Sequence, residues 1–112
     1  PHGNISTCNS TNLFFIKNKS VWTSKGEYCL NGITRSKAIY ICEKNGIDCF
    51  QRDFTFNEIK NCDEAFVTGT FAGIIPVSRI ENTDLLSTQS NSLTNHIRTL
   101  YNEFIHKNIN QL

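Results

Sequence analysis

The chain lacks the features by which membrane proteins, disulfide-bonded proteins and nucleic-acid-binding proteins are recognised from sequence. No apolar run approaches the roughly 20 residues that a membrane-spanning helix requires. The lysines and arginines are scattered and the net charge is only +1, so there is no basic stripe for nucleic acid. The five cysteines form no C-x-x-C pair and their number is odd, which argues against a disulfide framework and a zinc site. We therefore expect a cytoplasmic protein that binds neither membranes nor nucleic acids.

An initiator methionine and a signal peptide are also missing, since the chain begins Pro1-His2-Gly3. We interpret this beginning as typical of an excerpt from a longer sequence. Apolar residues make up 38% and charged residues 19% of the 112 residues, which is ordinary for a globular domain with one modest core. Because the chain has no internal repeat and no low-complexity linker, residues 1–112 are predicted to be one domain or part of one.

Short apolar runs separated by turn-forming residues predict several β-strands. The expected strands are 4–6, 12–17, 20–23, 47–52, 64–68 and 73–80. Residues 18–19 form the predicted turn of a hairpin that places Trp22 against the core. Pro76 has no backbone N–H, which indicates that its strand lies at a sheet edge or carries a bulge. Residues 81–90 are polar and are predicted to be a loop.

Three helices are predicted among these strands, which makes the expected fold α+β. The first spans 35–45 and ends before Gly46, a residue type common just after helices. The second is short, and Thr55 and Glu58 have the spacing of a capping box at its start. The last helix presents one apolar stripe, made of Leu93, Ile97, Leu100, Tyr101, Phe104 and Ile105.

Residues 30–35 join a loop to the first helix and have the chemistry of an anion site. Gly32 has no side chain to block the close approach of an anion, and it tolerates a positive φ. We expect Thr34 to cap the helix with its hydroxyl, beside first-turn N–H groups that lack a partner. A helix N-terminus of this kind favours an anion by about 0.3–1 kcal/mol. A plain helix cap is the alternative interpretation of the same residues.

A second candidate anion site is Thr68-Gly69-Thr70, at the end of a predicted strand. A glycine between two hydroxyl residues lets backbone N–H groups and hydroxyls converge on an anion. The alternative is an ordinary turn that ends the strand. If both turns closed on one phosphate, each hydrogen bond to a charged oxygen would contribute about 1.5–3 kcal/mol.

The other reactive side chains indicate no catalytic site by their spacing. His96 and His106 fall on the polar face of the last helix, where a histidine is usually solvated. Cys29, near the first glycine turn, is interpreted as a packed thiol and not as a nucleophile. Asp63 and Glu64 are neighbours, and one such pair does not make an acid–base couple. The chemistry of the residues therefore extends to an anion site and no further.

In order and spacing, these motifs resemble those of the class IV aminotransferases. The matching segments are 3–6, 12–14, 30–35, 63–70, 76–77 and the final helix with Thr94. Members of this family are fold-type IV enzymes that depend on pyridoxal 5′-phosphate: branched-chain aminotransferases, D-amino-acid aminotransferases and aminodeoxychorismate lyases. The resemblance implies the C-terminal part of the D-amino-acid aminotransferase-like fold, a mixed sheet or pseudo-barrel with packed helices.

The resemblance also implies which residues hold the cofactor. Backbone groups of Ile33 and Thr34 would bind its phosphate, as would the hydroxyls of Thr34 and Thr70. Gly32 would let the phosphate approach closely, and Leu30 would pack against the pyridine ring.

The substrate, an amino acid or a 2-oxo acid, is assigned to the second turn in the same way. Backbone N–H groups of Thr70, Phe71 and Ala72 would help to hold its carboxylate. Phe71 is larger than the residue expected at its position, and its bulk would narrow the substrate pocket. The identity and handedness of the substrate stay open.

Two departures from the family pattern bear on activity. The lysine that bonds covalently to the cofactor lies upstream of residues 3–6 in the family, as does the N-terminal domain with its phosphate-binding arginine. We therefore expect this chain not to transaminate by itself. Thr7 stands where the family usually has a glutamate that accepts a hydrogen bond from the pyridine nitrogen. A neutral hydroxyl there would leave the ring a weaker electron sink.

The resemblance implies that the complete protein is a homodimeric, pyridoxal-phosphate-dependent aminotransferase. It would move an amino group between an amino acid, such as a branched-chain amino acid, and a 2-oxo acid. Two alternatives stay open: an enzyme of the aminodeoxychorismate lyase type on the same fold, and a non-catalytic fragment or binding module.

Overall fold

A computed structural model of the protein describes residues 4–5, 13–24, 33–69 and 73–109. The strands are β1 Asn4–Ile5, β2 Leu13–Lys17, β3 Ser20–Thr23, β4 Cys49–Gln51, β5 Phe54–Thr55, β6 Glu64–Gly69, β7 Gly73–Val77, β8 Arg79–Ile80 and β9 Thr83–Asp84. The helices are α1 Ile33–Lys44, α2 Phe56–Lys60 and α3 Leu93–Ile109. Within these ranges, none of the helices combines the length and the hydropathy that crossing a bilayer requires.

Five strands form a mixed sheet in the order β4-β3-β2-β6-β7. Neighbouring strands are antiparallel except for β3 and β4, which are parallel. Strand β1 pairs with β5, and β8 pairs with β9, as two small separate ladders. The predicted α+β architecture with a mixed sheet is confirmed, and in the described residues this sheet is open, with β4 and β7 at its edges.

The sheet is buried on both faces because the side chains of β2 alternate between two apolar clusters. Phe14 and Ile16 point towards α1 and α3, where Phe14 stacks on Phe66 with ring centroids 4.8 Å apart. Phe15 points to the opposite face and meets Phe54 edge to face at 4.9 Å. Full burial of such a side chain contributes about 1.5–3 kcal/mol. The two clusters fix the register of β2 and, through it, the positions of the strand ends that face α1.

The β2–β3 hairpin confirms the predicted turn at residues 18–19. Asn18 and Lys19 both have positive φ, 52° and 67°, which is the pattern of a two-residue type I′ turn. The Asn18 N–H donates to the Asp63 carboxylate at 3.0 Å. Trp22 lies on β3, stacks on Phe50 at 4.4 Å and carries the Arg52 guanidinium on its ring at 4.7 Å.

Helix α1 differs from the prediction at its start and agrees with it near its end. The predicted start at residue 35 is wrong, because the helix begins at Ile33. At the other end Gly46 has a φ of 73°, as a residue just beyond a helix often does. Its N–H donates to Glu43 O at 3.3 Å, and the Ile47 N–H donates to Cys42 O at 2.8 Å, which together form a Schellman motif.

Helix α2 has the predicted N-cap but only half of the predicted capping box. The Thr55 hydroxyl accepts a hydrogen bond from the Glu58 N–H at 3.3 Å. The Glu58 carboxylate pairs with the Arg52 guanidinium at 3.0 Å. The predicted strand over residues 47–52 is shorter than expected and comprises only β4.

The predicted strand over residues 73–80 is wrong as a single element, since it is interrupted at Ser78. Val77 pairs with Ala65, one residue from the start of β6, so β7 has almost no further partner strand beyond it. The predicted loop over 81–90 is likewise wrong in part, because Thr83–Asp84 forms β9. Pro76 does lie in an edge strand, as predicted, and faces Phe66 in the ladder.

The buried carboxylate of Glu64 holds the N-terminus of α3 against the first residue of β6. Its two oxygens accept hydrogen bonds from the Leu93 N–H at 3.1 Å and the Thr94 N–H at 2.6 Å. Ser92 completes the cap, because its hydroxyl accepts from the Asn95 N–H at 3.0 Å. First-turn N–H groups have no acceptor inside their own helix. A carboxylate there also interacts favourably with the positive end of the helix dipole. Glu64 therefore fixes where α3 crosses the sheet.

We expect Glu64→Ala to lower the free energy of unfolding by about 2–4 kcal/mol, because two buried N–H groups lose a charged acceptor. Asp63→Ala is the matched control: the Asp63 side chain is 44% exposed, and both its ion pair with Lys17 and its hydrogen bond from the Asn18 N–H lie at the surface. We expect this control to change the same quantity by less than about 1 kcal/mol. Urea denaturation of both variants measures the difference. Equal effects at the two positions would contradict the capping role of Glu64.

Candidate functional site

The N-terminus of α1 and the end of β6 meet at one hydrogen bond. The hydroxyl of Thr34 donates to the carbonyl oxygen of Gly69 at 3.2 Å, across 35 residues of sequence. Thr34 is only 8% exposed, so the contact is largely shielded from water. The described residues of the two segments that the sequence singled out, Thr34 in one and Gly69 in the other, are therefore in direct contact.

The same contact corrects the expected role of Thr34 at the helix end. The prediction that its hydroxyl caps α1 is wrong, because Thr34 lies inside the helix that begins at Ile33. Its single hydroxyl hydrogen is donated across to Gly69. In the structure, Thr34 thus joins two elements instead of capping its own helix.

The N-terminus of α1 has the donor set of an anion site. Its first turn, which the structure describes in full, contains no acidic residue. The first-turn N–H groups have no acceptor within the helix, and the helix dipole places partial positive charge at them. Ile33 is 73% exposed, so this end of the helix is open at its surface. The first turn therefore supplies no carboxylate of its own to its N–H groups.

Arg35, the third residue of α1, holds the helix in place from inside the protein. Its guanidinium donates to Ser24 O at 2.6 Å and to Gln51 Oε1 at 3.4 Å. Burial lowers the pKa of Arg35. The side chain thereby ties the first turn of α1 to the end of β3 and to β4.

Tyr101 of α3 contacts both the start of α1 and the start of β7. Its hydroxyl lies 3.5 Å from Thr34 Oγ1, and the residue is 7% exposed. Its ring packs on Gly73, where an added Cβ would lie 2.8 Å from Tyr101 Cε1. Gly73 has a φ of 73° and pairs with Gly69 in the β6–β7 ladder. Tyr101 therefore contacts both the α1 side and the β-strand side of the site.

Several of the predicted site residues lie outside the described residues: Thr7, Leu30, Gly32, Thr70, Phe71 and Ala72. Their predicted roles towards cofactor and substrate stay predictions. The residues described at this place are Ile33 and Thr34 on the helix side and Gly69 and Gly73 on the strand side.

The other reactive residues lie apart from this site. His96 and His106 are exposed on α3, as their place on its polar face indicated. Asp63 and Glu64 have structural partners in the turn at Asn18 and at the N-terminus of α3. Across the described ranges, no group of histidine, cysteine or acidic side chains is arranged to hold a metal ion.

Three described cysteines are free thiols, and two of them interact. A hydrogen bond between their side chains raises the pKa of Cys42, which burial raises further, and lowers that of Cys49. Burial raises the pKa of Cys62 to about 11, with a further contribution from Asp63. Cys49 is the half-buried member of the three and has the most thiolate character.

Sequence reasoning missed Tyr101 as a member of the site. Its helical spacing indicated a core residue, which it is, but 67 residues separate it from Thr34. No local pattern encodes that contact. Gly73 was assigned only to a strand start, and its close approach to an aromatic ring leaves no trace in the sequence either.

Comparison with known proteins places this chain in a family. Residues 1–80 match the family model described as "Amino-transferase class IV". The chain is 34% identical over 98 residues to a D-alanine aminotransferase of Bacillus licheniformis, covering 87% of this chain and 35% of the relative. It is 37% identical over 83 residues to a probable branched-chain-amino-acid aminotransferase of Rickettsia felis, covering 74% of this chain and 28% of the relative.

Solved structures agree with these relatives. A crystal structure of an aminotransferase from Brucella abortus, bound to the cofactor PLP, superposes with a TM-score of 0.81 at 26% identity, covering 93% of this chain and 36% of that one. The branched-chain amino acid aminotransferase of Thermobaculum terrenum in its PLP form gives 0.82 at 26% identity, covering 96% and 36%.

The fold is thus that of the class IV aminotransferases, and the chain belongs to that family. It spans about a third of the length of the curated relatives it matches.

We expect Gly73→Ala to lower the free energy of unfolding by more than about 2 kcal/mol, because the new Cβ would clash with Tyr101 at a left-handed φ. Gly46→Ala is the matched control: its φ is also 73°, but an added Cβ would have nothing within 4 Å. The control should lower the free energy of unfolding only by the cost of placing alanine at a left-handed φ, about 1 kcal/mol. Urea denaturation compares the two, and equal losses would show that Tyr101 does not pack on Gly73 as described.

We expect iodoacetamide to label Cys49 of the native protein before Cys42 and Cys62, because its pKa is lowered and theirs are raised. Mass spectrometry of cysteine-containing peptides after short exposure at neutral pH measures the order. Cys42→Ala removes the hydrogen-bond donor and should slow the labelling of Cys49. Labelling of Cys62 first would contradict this assignment.

Proposed function

We propose that this chain is the cofactor-binding part of a pyridoxal-phosphate-dependent aminotransferase, which transfers an amino group between an amino acid and a 2-oxo acid. The chain would be part of the C-terminal domain, residues 1–112, with the N-terminal domain and the cofactor-bonded lysine supplied by sequence outside it. The observation that carries the proposal is the Thr34–Gly69 hydrogen bond, which joins the two predicted phosphate-binding turns in a chain of this family.

The described residues act on the phosphate end of the cofactor. When bound, pyridoxal phosphate supplies the aldehyde carbon and the electron-withdrawing ring on which amino-group transfer depends. The Ile33 and Thr34 N–H groups at the N-terminus of α1 would donate to the phosphate, and the helix dipole favours its charge. The Thr34–Gly69 hydrogen bond keeps that helix end beside the β6–β7 turn, so both turns reach one ligand.

The remaining contacts come from residues assigned by resemblance. Gly32, Thr70 and Leu30 would complete the enclosure of the phosphate and the ring, and Thr7 would face the pyridine nitrogen as a weak partner. The backbone of Thr70, Phe71 and Ala72 would hold the substrate carboxylate. Because that segment directly follows Gly69, substrate and phosphate would be bound by the same turn.

The relatives named above are a D-alanine aminotransferase and a branched-chain-amino-acid aminotransferase. Both names favour transamination over the lyase and binding-module alternatives. We propose D-alanine and the branched-chain amino acids as the candidate donors. The bulk of Phe71 is the feature of this chain that would select between them.

A cytoplasmic homodimer is the proposed state of the complete protein. The free thiols of Cys42, Cys49 and Cys62 are in keeping with a reducing compartment. Apolar side chains that are partly exposed here would be available to contacts with the rest of the protein or with a second copy; they include Ile33, Tyr40, Phe50 and Leu86.

The test uses the complete protein that carries this chain. We expect it to purify with, or to take up, pyridoxal phosphate, seen in its visible absorption spectrum, and to form a 2-oxo acid from D-alanine or from a branched-chain amino acid only when 2-oxoglutarate is present as acceptor. Residues 1–112 alone, with added cofactor, should show no turnover. A complete protein that stays colourless, pyruvate release without an acceptor, or turnover by residues 1–112 alone would each contradict part of the proposal.

A further inference from the structure

Tyr101 carries a buried hydroxyl group although it packs in an apolar cluster, where a hydroxyl makes no contribution to the apolar contacts. The residue lies in the cluster between the sheet and the two longer helices, where Ile97 and Phe14 make purely apolar contacts. Its ring already fills the space above Gly73. The hydroxyl extends beyond that contact to 3.5 Å from Thr34 Oγ1, in a buried position.

The direction of the hydrogen bonds around Thr34 is fixed by chemistry. A carbonyl oxygen only accepts, so the bond between Thr34 and Gly69 must be donated by the Thr34 hydroxyl. A hydroxyl has one hydrogen, and Thr34 can therefore only accept from Tyr101. The chain runs from Tyr101 through Thr34 to Gly69, and so from α3 through α1 to β6.

The ring contact determines where the Tyr101 hydroxyl lies. Gly73 has no side chain, and its Cα region faces Tyr101 Cε1 so closely that a Cβ would lie 2.8 Å from it. This contact locates the ring against the first residue of β7, which is the ladder partner of Gly69. The position of the Tyr101 ring is therefore set by Gly73 of β7, while its hydroxyl contacts Thr34 of α1.

We propose that Tyr101 is a positioning residue for the anion site at the start of α1: its hydroxyl orients the Thr34 hydroxyl and holds the α1 end beside Gly69 at the end of β6, so that the site is formed before the cofactor phosphate arrives. This inference rests on the proposed function. If a phosphate oxygen accepts the Thr34 hydrogen in place of Gly69, Tyr101 still donates to the same Thr34 oxygen. Tyr101 thus keeps the orientation of Thr34 in either arrangement.

The experiment measures pyridoxal phosphate binding to the complete, cofactor-depleted protein by fluorescence titration, together with its melting temperature without cofactor. Tyr101→Phe keeps the ring on Gly73 and removes only the hydroxyl. We expect its dissociation constant to rise roughly three- to tenfold, with little change in melting temperature. Ile97→Val is the matched control from the same buried face of α3. It should lower the melting temperature and leave the dissociation constant unchanged.

A double-mutant cycle with Thr34→Val tests whether the Tyr101 hydroxyl affects cofactor binding through Thr34 or through a general loss of packing. In the Thr34→Val protein the Tyr101 hydroxyl has lost its acceptor, so adding Tyr101→Phe should no longer weaken binding. Equal weakening in both backgrounds, or no weakening by Tyr101→Phe, would overturn the proposal while the proposed function stood. Failure of Tyr101→Phe to fold would also overturn it, since the hydroxyl would then be structural. If the unmodified protein bound no pyridoxal phosphate, the proposed function would fail as well.

Discussion

The arrangement of the site depends on the hydrogen bond that Thr34 donates to Gly69. Two elements far apart in sequence, the start of α1 and the end of β6, meet there at a separation of 3.2 Å. Either element alone is an ordinary helix end or strand end. Together they bring the N-terminal end of α1 beside the end of β6, which is the arrangement that the proposed phosphate site would need. The rest of the described fold holds the start of α1 and the end of β6 next to each other.

The two long helices show how differently a helix N-terminus is used in this fold. At α3 the carboxylate of Glu64 accepts from the Leu93 and Thr94 N–H groups, so the anion is supplied by the protein itself. At α1 the first turn contains no acidic residue, and Ile33 is largely exposed. The first arrangement fixes α3 on the sheet, and with it Tyr101. The second supplies no carboxylate from the first turn itself, which is the basis for proposing that this helix end receives an external anion.

Sequence patterns predicted most elements of the fold and only part of the site. The apolar stripe predicted α3, the turn residues Asn18 and Lys19 predicted the hairpin, and Gly46 predicted the end of α1, because each follows from local backbone and side-chain preferences. The interruption at Ser78 was not predictable in this way, since it depends on where β6 begins, one residue before the Ala65 that pairs with Val77. Thr34 shows the same limit: its residue type predicted a cap, but its hydroxyl bonds to a strand 35 residues away. Tyr101 looked like any core aromatic, because the sequence carries no record of what its hydroxyl meets.

The central claim is that the N-terminus of α1, and not that of α3, receives the phosphate of pyridoxal phosphate. Amide chemical shifts of the complete, isotope-labelled protein test it most directly. The account predicts that adding pyridoxal phosphate shifts the Ile33 and Thr34 amide resonances and leaves those of Leu93 and Thr94, already bound to Glu64, in place. Unchanged Ile33 and Thr34 resonances in the cofactor-bound protein would contradict it.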